Sequence, residues 1–279
     1  MRTRIAASAL IGAALALSSS LWSLGAANAA GSSTFETDGV ALSLVAAPSG
    51  TGDAVRAALF IDLEPGWKTY WIDPGEAGIP PQIGLSPETK NLELESIAFP
   101  APTRFEEAGF QSNGYKAPLA VALSLRKTKP DSGSNLALSV MLGICHDICV
   151  PVSAELSLDP AGETDKAAVD TAFADLPRRD SAAEAITEAS IRADGSKLSL
   201  KVAASAAGDS SDLFVTAPGG WYFGPPEDTA RTGGEVVFTL PVLDKPKEGL
   251  SSLLNVDAIL VTGEDAIEAR DLAVVREPK

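Results

Sequence analysis

The sequence contains a single histidine, His146, and that scarcity argues against most hydrolytic chemistry. Any Ser-His-Asp arrangement would have to use it, and no G-x-S-x-G elbow is present to expose a nucleophile. Basic residues are also few: 22 Lys and Arg stand against 37 Asp and Glu, a formal net charge of −15. Nucleic acid and anionic lipid both need a positive footprint, so neither is expected as a partner. Beyond residue 30 no apolar run approaches the roughly 18 residues of a membrane helix, so no direct membrane insertion of the mature protein is expected. Gly75 and Gly78 do not fit the G-x-G-x-x-G spacing, no helix pattern follows them, and nearby prolines remove amides, which argues against a phosphate cradle.

What is present describes an exported globular protein. Hydrophobic residues make up 45% and charged residues 21%, enough apolar sequence for real cores and too much for a disordered acidic tail. Arg2 and Arg4 precede a stretch from Ile5 to Leu17 that is almost wholly apolar or small, and Ala27-Asn28-Ala29 offers a small-x-small cleavage site. Residues 1–29 therefore read as a signal peptide cleaved near Ala29. About 250 residues remain, one large domain or two of ordinary size.

Export makes the cysteines informative. There are two, Cys145 and Cys149, separated by His146, Asp147 and Ile148. In an extended strand their Cα atoms would lie about 13 Å apart, beyond the roughly 4.4 to 6.8 Å that a disulfide accepts, so the chain must turn between them. The flanks Leu136–Leu142 and Val152–Leu158 alternate like strands, which places the cysteines on the shoulders of a tight hairpin with residues 146–148 at its tip. Three uses stand open: a structural staple, a redox pair or a metal site. A staple is the plain reading, since exported domains often carry one disulfide, but so short a loop removes little unfolded-state entropy, about 2 kcal/mol or less. Two neighbouring thiols are also what exchange needs, one to attack and one to resolve. A four-ligand zinc site would need Cys145, Cys149, His146 and a carboxylate, which so tight a turn can hardly arrange as a tetrahedron.

Along the mature chain, strand-like alternation falls at Val40–Ala47, Ala54–Leu63, Leu119–Leu125, Leu136–Leu142 and Val152–Leu158. From Thr164 to Leu176 the period becomes helical, with Thr164 as the expected cap and Pro177 as the stop. Strand signals resume at Leu198–Val202, Leu213–Thr216, Val236–Leu240, Val256–Val261 and Ala266–Val274. The expected fold class is all-β: an immunoglobulin-like sandwich over 30–160 with the cysteine pair, a helical linker over 161–185, and a second, smaller β-sandwich over 186–279. Gly66–Pro81 is expected to be a shaped loop, with no strand beyond Trp71. Trp67, Trp71 and Trp221 are read as packing residues.

Several motifs then occur in a telling order: Trp67-Lys-Thr-Tyr-Trp71, Asp73-Pro-Gly75 with Gly78-Ile-Pro-Pro81, Phe99-Pro-Ala-Pro-Thr-Arg-Phe105, Gly114-Tyr115, and Cys145-His-Asp-Ile-Cys-Val-Pro151. Over roughly residues 35 to 160 the sequence resembles the amino-terminal periplasmic domain of the DsbD family of thiol-disulfide transporters, with the cysteine spacing of its ScsB-like branch. The resemblance implies an immunoglobulin-like sandwich in the periplasm that exchanges electrons through Cys145 and Cys149 and needs no cofactor. Its implied partners are a membrane-embedded thiol-disulfide transporter as donor and a periplasmic disulfide-bearing protein as acceptor, in settings such as cytochrome c biogenesis or copper tolerance. Full-length transporters of the family add a membrane domain and a thioredoxin-like domain, neither of which this sequence contains, so a detached module is expected.

Residue roles follow from that resemblance. Cys145 and Cys149 are the expected redox pair, with a slight preference for Cys149 as the attacking thiol because His146 and Asp147 crowd Cys145. His146, Asp147 and Tyr70 are candidate supporting residues. In the family a loop with an aromatic tip covers the cysteines; the comparable stretch here is Glu106–Phe110, with Phe110 as the expected cap and Glu107 as a like-charge repellent. The alternative is a Cu(I)-binding or copper-tolerance protein holding the ion with Cys145, Cys149 and His146 or Met141, since thiolates suit that soft ion. The chain has only 2 Met, one of them the initiator, so the Met-rich clusters of a copper store are missing.

Overall fold

The computed structural model describes residues 33–48, 52–107, 109–162 and 165–278. The expected signal peptide and its cleavage site lie outside the described residues. Eleven strands build the first module: β1 (Ser33–Thr37), β2 (Val40–Pro48), β3 (Ala54–Leu63), β4 (Lys68–Gly75), β5 (Gln82–Leu85), β6 (Leu92–Ala98), β7 (Thr103–Glu107), β8 (Phe110–Tyr115), β9 (Leu119–Lys127), β10 (Leu136–Cys145) and β11 (Cys149–Leu158). They form two sheets, ordered β1-β2-β3-β9-β6 and β11-β10-β4-β8-β7, with β5 also pairing β10. Alternation drives the packing. Leu42 and Leu44 on β2, Leu59 and Ile61 on β3, and Leu138, Leu142 and Ile144 on β10 all turn into one buried core between the sheets.

The outer face of the first sheet carries the small residues Ala47, Ala58 and Ala120. A helix can approach such a surface closely, and α1 (Lys166–Ala174) does so through Val169, Ala172 and Phe173. Arg56 reaches from β3 to Asp170 of the helix and lies over the Phe173 ring. The helix is shorter than its sequence pattern suggested, and its cap is Asp165 rather than Thr164, which lies outside the described residues. The Asp165 carboxylate accepts the Ala168 N–H at 2.9 Å, using one of the amides that a helix start leaves unpaired.

After a short turn of helix, α2 (Ala182–Ala185), the chain enters a second module of eight strands: β12 (Ile186–Ile191), β13 (Lys197–Ala203), β14 (Asp212–Thr216), β15 (Tyr222–Phe223), β16 (Asp228–Thr232), β17 (Glu235–Asp244), β18 (Asn255–Thr262) and β19 (Asp265–Arg276). Their order is β14-β18-β19-β12-β13-β17-β15, with β16 on β17. The long β19 pairs antiparallel with β18 and then, at Val274–Arg276, parallel with β12. Leu198 and Leu200 of β13 share one core with Leu213 of β14 and Leu260 of β18, so the sheet folds back around Trp221, Phe223 and Phe238. Among the described residues no helix is long and apolar enough to cross a membrane.

The expectation that no strand continues past Trp71 is corrected: β4 runs to Gly75, paired with β8, and its register shifts between Tyr70 and Gly75. Pro74 can sit there because the irregular pairing does not need its missing N–H. Trp71 and Trp221 are buried, and Trp67 packs partly buried against the first core.

Candidate functional site

The last residues of β10 and the first of β11 carry the site. Their ladder runs unbroken from Leu136↔Leu158 to Cys145↔Cys149, so residues 146–148 form the turn. Along β10, Leu142 and Ile144 enter the core, and alternation therefore turns Cys145 to the outer face of the sheet. Cys145 and Cys149 are joined by a disulfide, with Cα atoms 4.1 Å apart. The two cysteines differ in access: Cys145 is 0% exposed, whereas Cys149 lies at the surface.

Two aromatics account for that difference. Tyr70 and Phe105 form a buried cluster with Cys145, their ring centroids 6.3 Å apart. The Tyr70 hydroxyl lies 2.8 Å from Cys145 Sγ and 3.1 Å from Cys149 Sγ. A disulfide sulfur has no hydrogen, so the phenol is the donor to both. Two glycines make room for this tyrosine. A Cβ on Gly78 would stand 2.4 Å from the Tyr70 ring, and one on Gly114 would stand 2.1 Å from the Thr69 carbonyl oxygen. The Thr69 hydroxyl donates to the Gly143 carbonyl at 2.9 Å, tying β4 to β10 beside the bridge. Lys68 and Lys116 place their ammonium groups 5.9 and 4.9 Å from the centre of the Phe105 ring, so two cations edge the cover.

The other expected site residues are dispersed. His146 lies against Trp67, ring centroids 5.6 Å apart, and its Nδ1 is 3.2 Å from the carboxylate of Asp147, which is itself exposed. Ile148, at the turn, is 73% exposed. The expected loop over 106–110 is instead the end of the β7–β8 hairpin. Glu107 ends β7, and its side chain is outside the description. Phe110 does not cover the cysteines. It is 52% exposed and lines a cavity of about 450 Å³ with Pro74, Tyr222 and Leu243, so it is neither the expected cap nor a core residue. The aromatic over Cys145 is Phe105, five residues earlier. Thr103-Arg104-Phe105 was visible as a motif, but only its strand alternation tells which side chain faces the cysteines.

One buried carboxylate was visible in the sequence only as part of the Asp73-Pro-Gly75 motif, with no role attached to it. Asp73 accepts the N–H of Gly75 at 2.9 Å and, across the modules, that of Phe223 at 3.0 Å. Burial pushes its pKa from 3.8 up to about 6, and these two amides and the nearby charge of Arg104 oppose the rise. Among the described residues no group of three or more His, Cys, Asp or Glu is placed to hold a metal ion.

Comparison with known proteins agrees with this architecture. Residues 40–161 match the family described as thiol:disulfide interchange protein DsbD, N-terminal. The solved N-terminal periplasmic domain of ScsB from Proteus mirabilis is 22% identical, covers 88% of this chain and 98% of its own, and superposes with a TM-score of 0.65. The likeness of fold therefore extends into the second module. The reduced N-terminal domain of DsbD from Neisseria meningitidis is 15% identical over 39% of this chain and 78% of its own, with a TM-score of 0.27. No curated protein matches the sequence. The family match over residues 40–161 and the bridged cysteine pair support a thiol-disulfide exchange domain there. More particularly, the chain contains a DsbD N-terminal-like domain of immunoglobulin-like fold.

Proposed function

We propose that the protein is a periplasmic electron-relay or disulfide-reductase module in which Cys145 and Cys149 are the working pair. The observation that carries this reading is the Tyr70 hydroxyl, within hydrogen-bonding distance of both sulfurs of a bridge that closes only a four-residue separation. In the oxidised protein a donor thiolate reaches Sγ of the exposed Cys149 first. The bond between the two cysteines breaks, and Cys145 leaves as a thiolate that accepts the Tyr70 proton donor. The donor's second thiolate then attacks the mixed disulfide, so the donor ends as a disulfide and the module has gained two electrons and two protons. In the reverse direction Cys149 attacks an acceptor disulfide and Cys145 resolves the intermediate. The donor in this reading is a membrane-embedded thiol-disulfide transporter and the acceptor a disulfide-bearing periplasmic protein. The leader ending near Ala29 and the division near residues 160 and 186 belong to the same proposal.

The Cu(I) alternative requires a reduced pair and His146 swung away from Trp67. Met141 lies on the same strand face as Cys145, but four residues earlier, about 13 Å along the strand. Equilibrating the purified mature protein with glutathione buffers, with metal analysis of the same sample, separates the readings. Exchange predicts a potential well above the roughly −300 mV below which structural bridges lie. A bridge that periplasmic-poise glutathione cannot reduce in the folded protein defeats the exchange reading. Cys145→Ala and Cys149→Ala should each keep native circular dichroism at 37 °C, at a cost of about 2 kcal/mol or less, and abolish electron transfer. Loss of the fold in either variant would point to a staple.

A further inference from the structure

The strands that cover the disulfide on one face are bound to the second module on the other. Phe105 sits on β7, which among the described residues is the last strand of its sheet and pairs with β8 alone. A strand held on one side only is a weakly constrained place for the cover of a reactive bridge. Its neighbour Arg104 turns to the opposite face, as alternation requires. There Nε and Nη2 donate to Asp212 Oδ2 and Oδ1 of β14 at 2.9 and 3.0 Å, a two-pronged pair. Nη2 also donates to the Leu213 carbonyl at 3.1 Å, Nη1 donates to Asn113 Oδ1 at 2.8 Å, and the guanidinium lies 4.6 Å from the centre of the Phe214 ring. The Arg104 side chain is 14% exposed. Asn113 on β8 passes the connection on, donating to the Asp73 carbonyl on β4 at 3.1 Å.

Strand β4 repeats the arrangement. Tyr70 touches the sulfurs, while the next residue, Trp71, meets Phe214 edge-on at 6.1 Å and Asp73 accepts the Phe223 amide. Both aromatics that shield Cys145 therefore stand on strands whose other face is anchored by residues 212–223. We propose that Arg104 is a positioning residue for the cysteine pair: by pinning β7 to the second module it keeps Phe105 over Cys145, which makes that module part of the redox site. The inference rests on the exchange reading and assigns the second module a task within it. Without the pin, the edge strand frays, Phe105 lifts, and an incoming thiol reaches the bridge from a second side.

The test uses the oxidised full chain and its reduction by dithiothreitol, which takes the place of the biological donor: it gives two electrons and two protons to the cysteines and closes to its own cyclic disulfide. Asp212→Asn removes the charged partner and leaves Arg104 its bonds to Leu213 and Asn113, so the fold should survive. Reduction should become faster on the order of tenfold, with the glutathione equilibrium unchanged because an open cover speeds both directions alike. Phe105→Ala should be fast already, and Asp212→Asn added to it should change the rate less than twofold, because both act through one side chain. A lowered melting temperature with an unchanged reduction rate would show Arg104 to be a structural clasp and overturn the proposal. So would an acceleration that persists in full on the Phe105→Ala background. If the protein exchanges with no thiol protein, the exchange reading falls, while the dithiothreitol rates still decide what Arg104 does.

Discussion

Replacing Tyr70 by Phe removes one oxygen from the site and leaves the ring that Gly78 accommodates and Phe105 adjoins. In the oxidised protein the hydroxyl donates to two neutral sulfurs, at 2.8 and 3.1 Å, and such bonds contribute little. During reduction the leaving Cys145 becomes a thiolate, and the same bond becomes charge-assisted, contributing about 1.5 to 3 kcal/mol. At 1.36 kcal/mol per unit, its loss should raise the Cys145 thiol pKa by about 1 to 2 units. A leaving group of higher pKa departs more slowly, and losing about half of that free energy in the transition state would slow reduction by dithiothreitol by roughly 3- to 10-fold. Stopped-flow reduction of the oxidised Tyr70→Phe variant measures that rate, and iodoacetamide alkylation against pH with and without Tyr70→Phe, on a Cys149→Ala background where Cys145 is the remaining thiol, measures the pKa. The melting temperature should barely move. Reduction that is unchanged or faster would refute the argument and leave Tyr70 as a simple shield.

Two further expectations follow from the site. Asp73 has a folded pKa of about 6 against 3.8 for the free group, so its contribution to stability is fully present below pH 4 and is lost as pH rises through 6. About two units correspond to about 3 kcal/mol, and melting curves from pH 4.5 to 7.5 should fall less steeply for Asp73→Asn than for the unaltered chain. Equal slopes would remove Asp73 as the cause. Phe110→Ala, at an exposed hairpin end, should leave alkylation of the reduced cysteines unchanged, whereas Phe105→Ala should speed it; the opposite result would restore Phe110 as the cap.

The hairpin around the cysteines was legible because its constraint is local. Two thiols four residues apart can meet only across a turn, and the alternation on either side of Cys145 and Cys149 fixes which turn. The long strands β3, β10 and β18 were legible for a similar reason, since one buried face imprints period two on the sequence. Short or irregular strands were not. Strand β4 carries Pro74 and Gly75 and reads locally as a loop, yet β8 holds it as a strand through pairs made some forty residues away. The helix cap moved by one residue because Thr164 and Asp165 are both good caps, and local preference does not choose between them.

The sequence by itself determined an all-β chain centred on one cysteine pair with the motifs of an exchange domain, and it raised the expectation of export. It did so because composition, period and spacing act over a few residues. Only the tertiary structure decided what surrounds the sulfurs. Phe105, Tyr70 and Cys145 are up to 75 residues apart and come together because four strands lie side by side in one sheet in the order β10-β4-β8-β7. Phe110, nearer to what a linear comparison suggested, is carried away by the same hairpin. The Asp73 and Arg104 contacts join side chains to partners more than a hundred residues away in a second module. No local pattern encodes such meetings, because they depend on how second-module residues such as Phe214 and Ile259 enter the core of the first module.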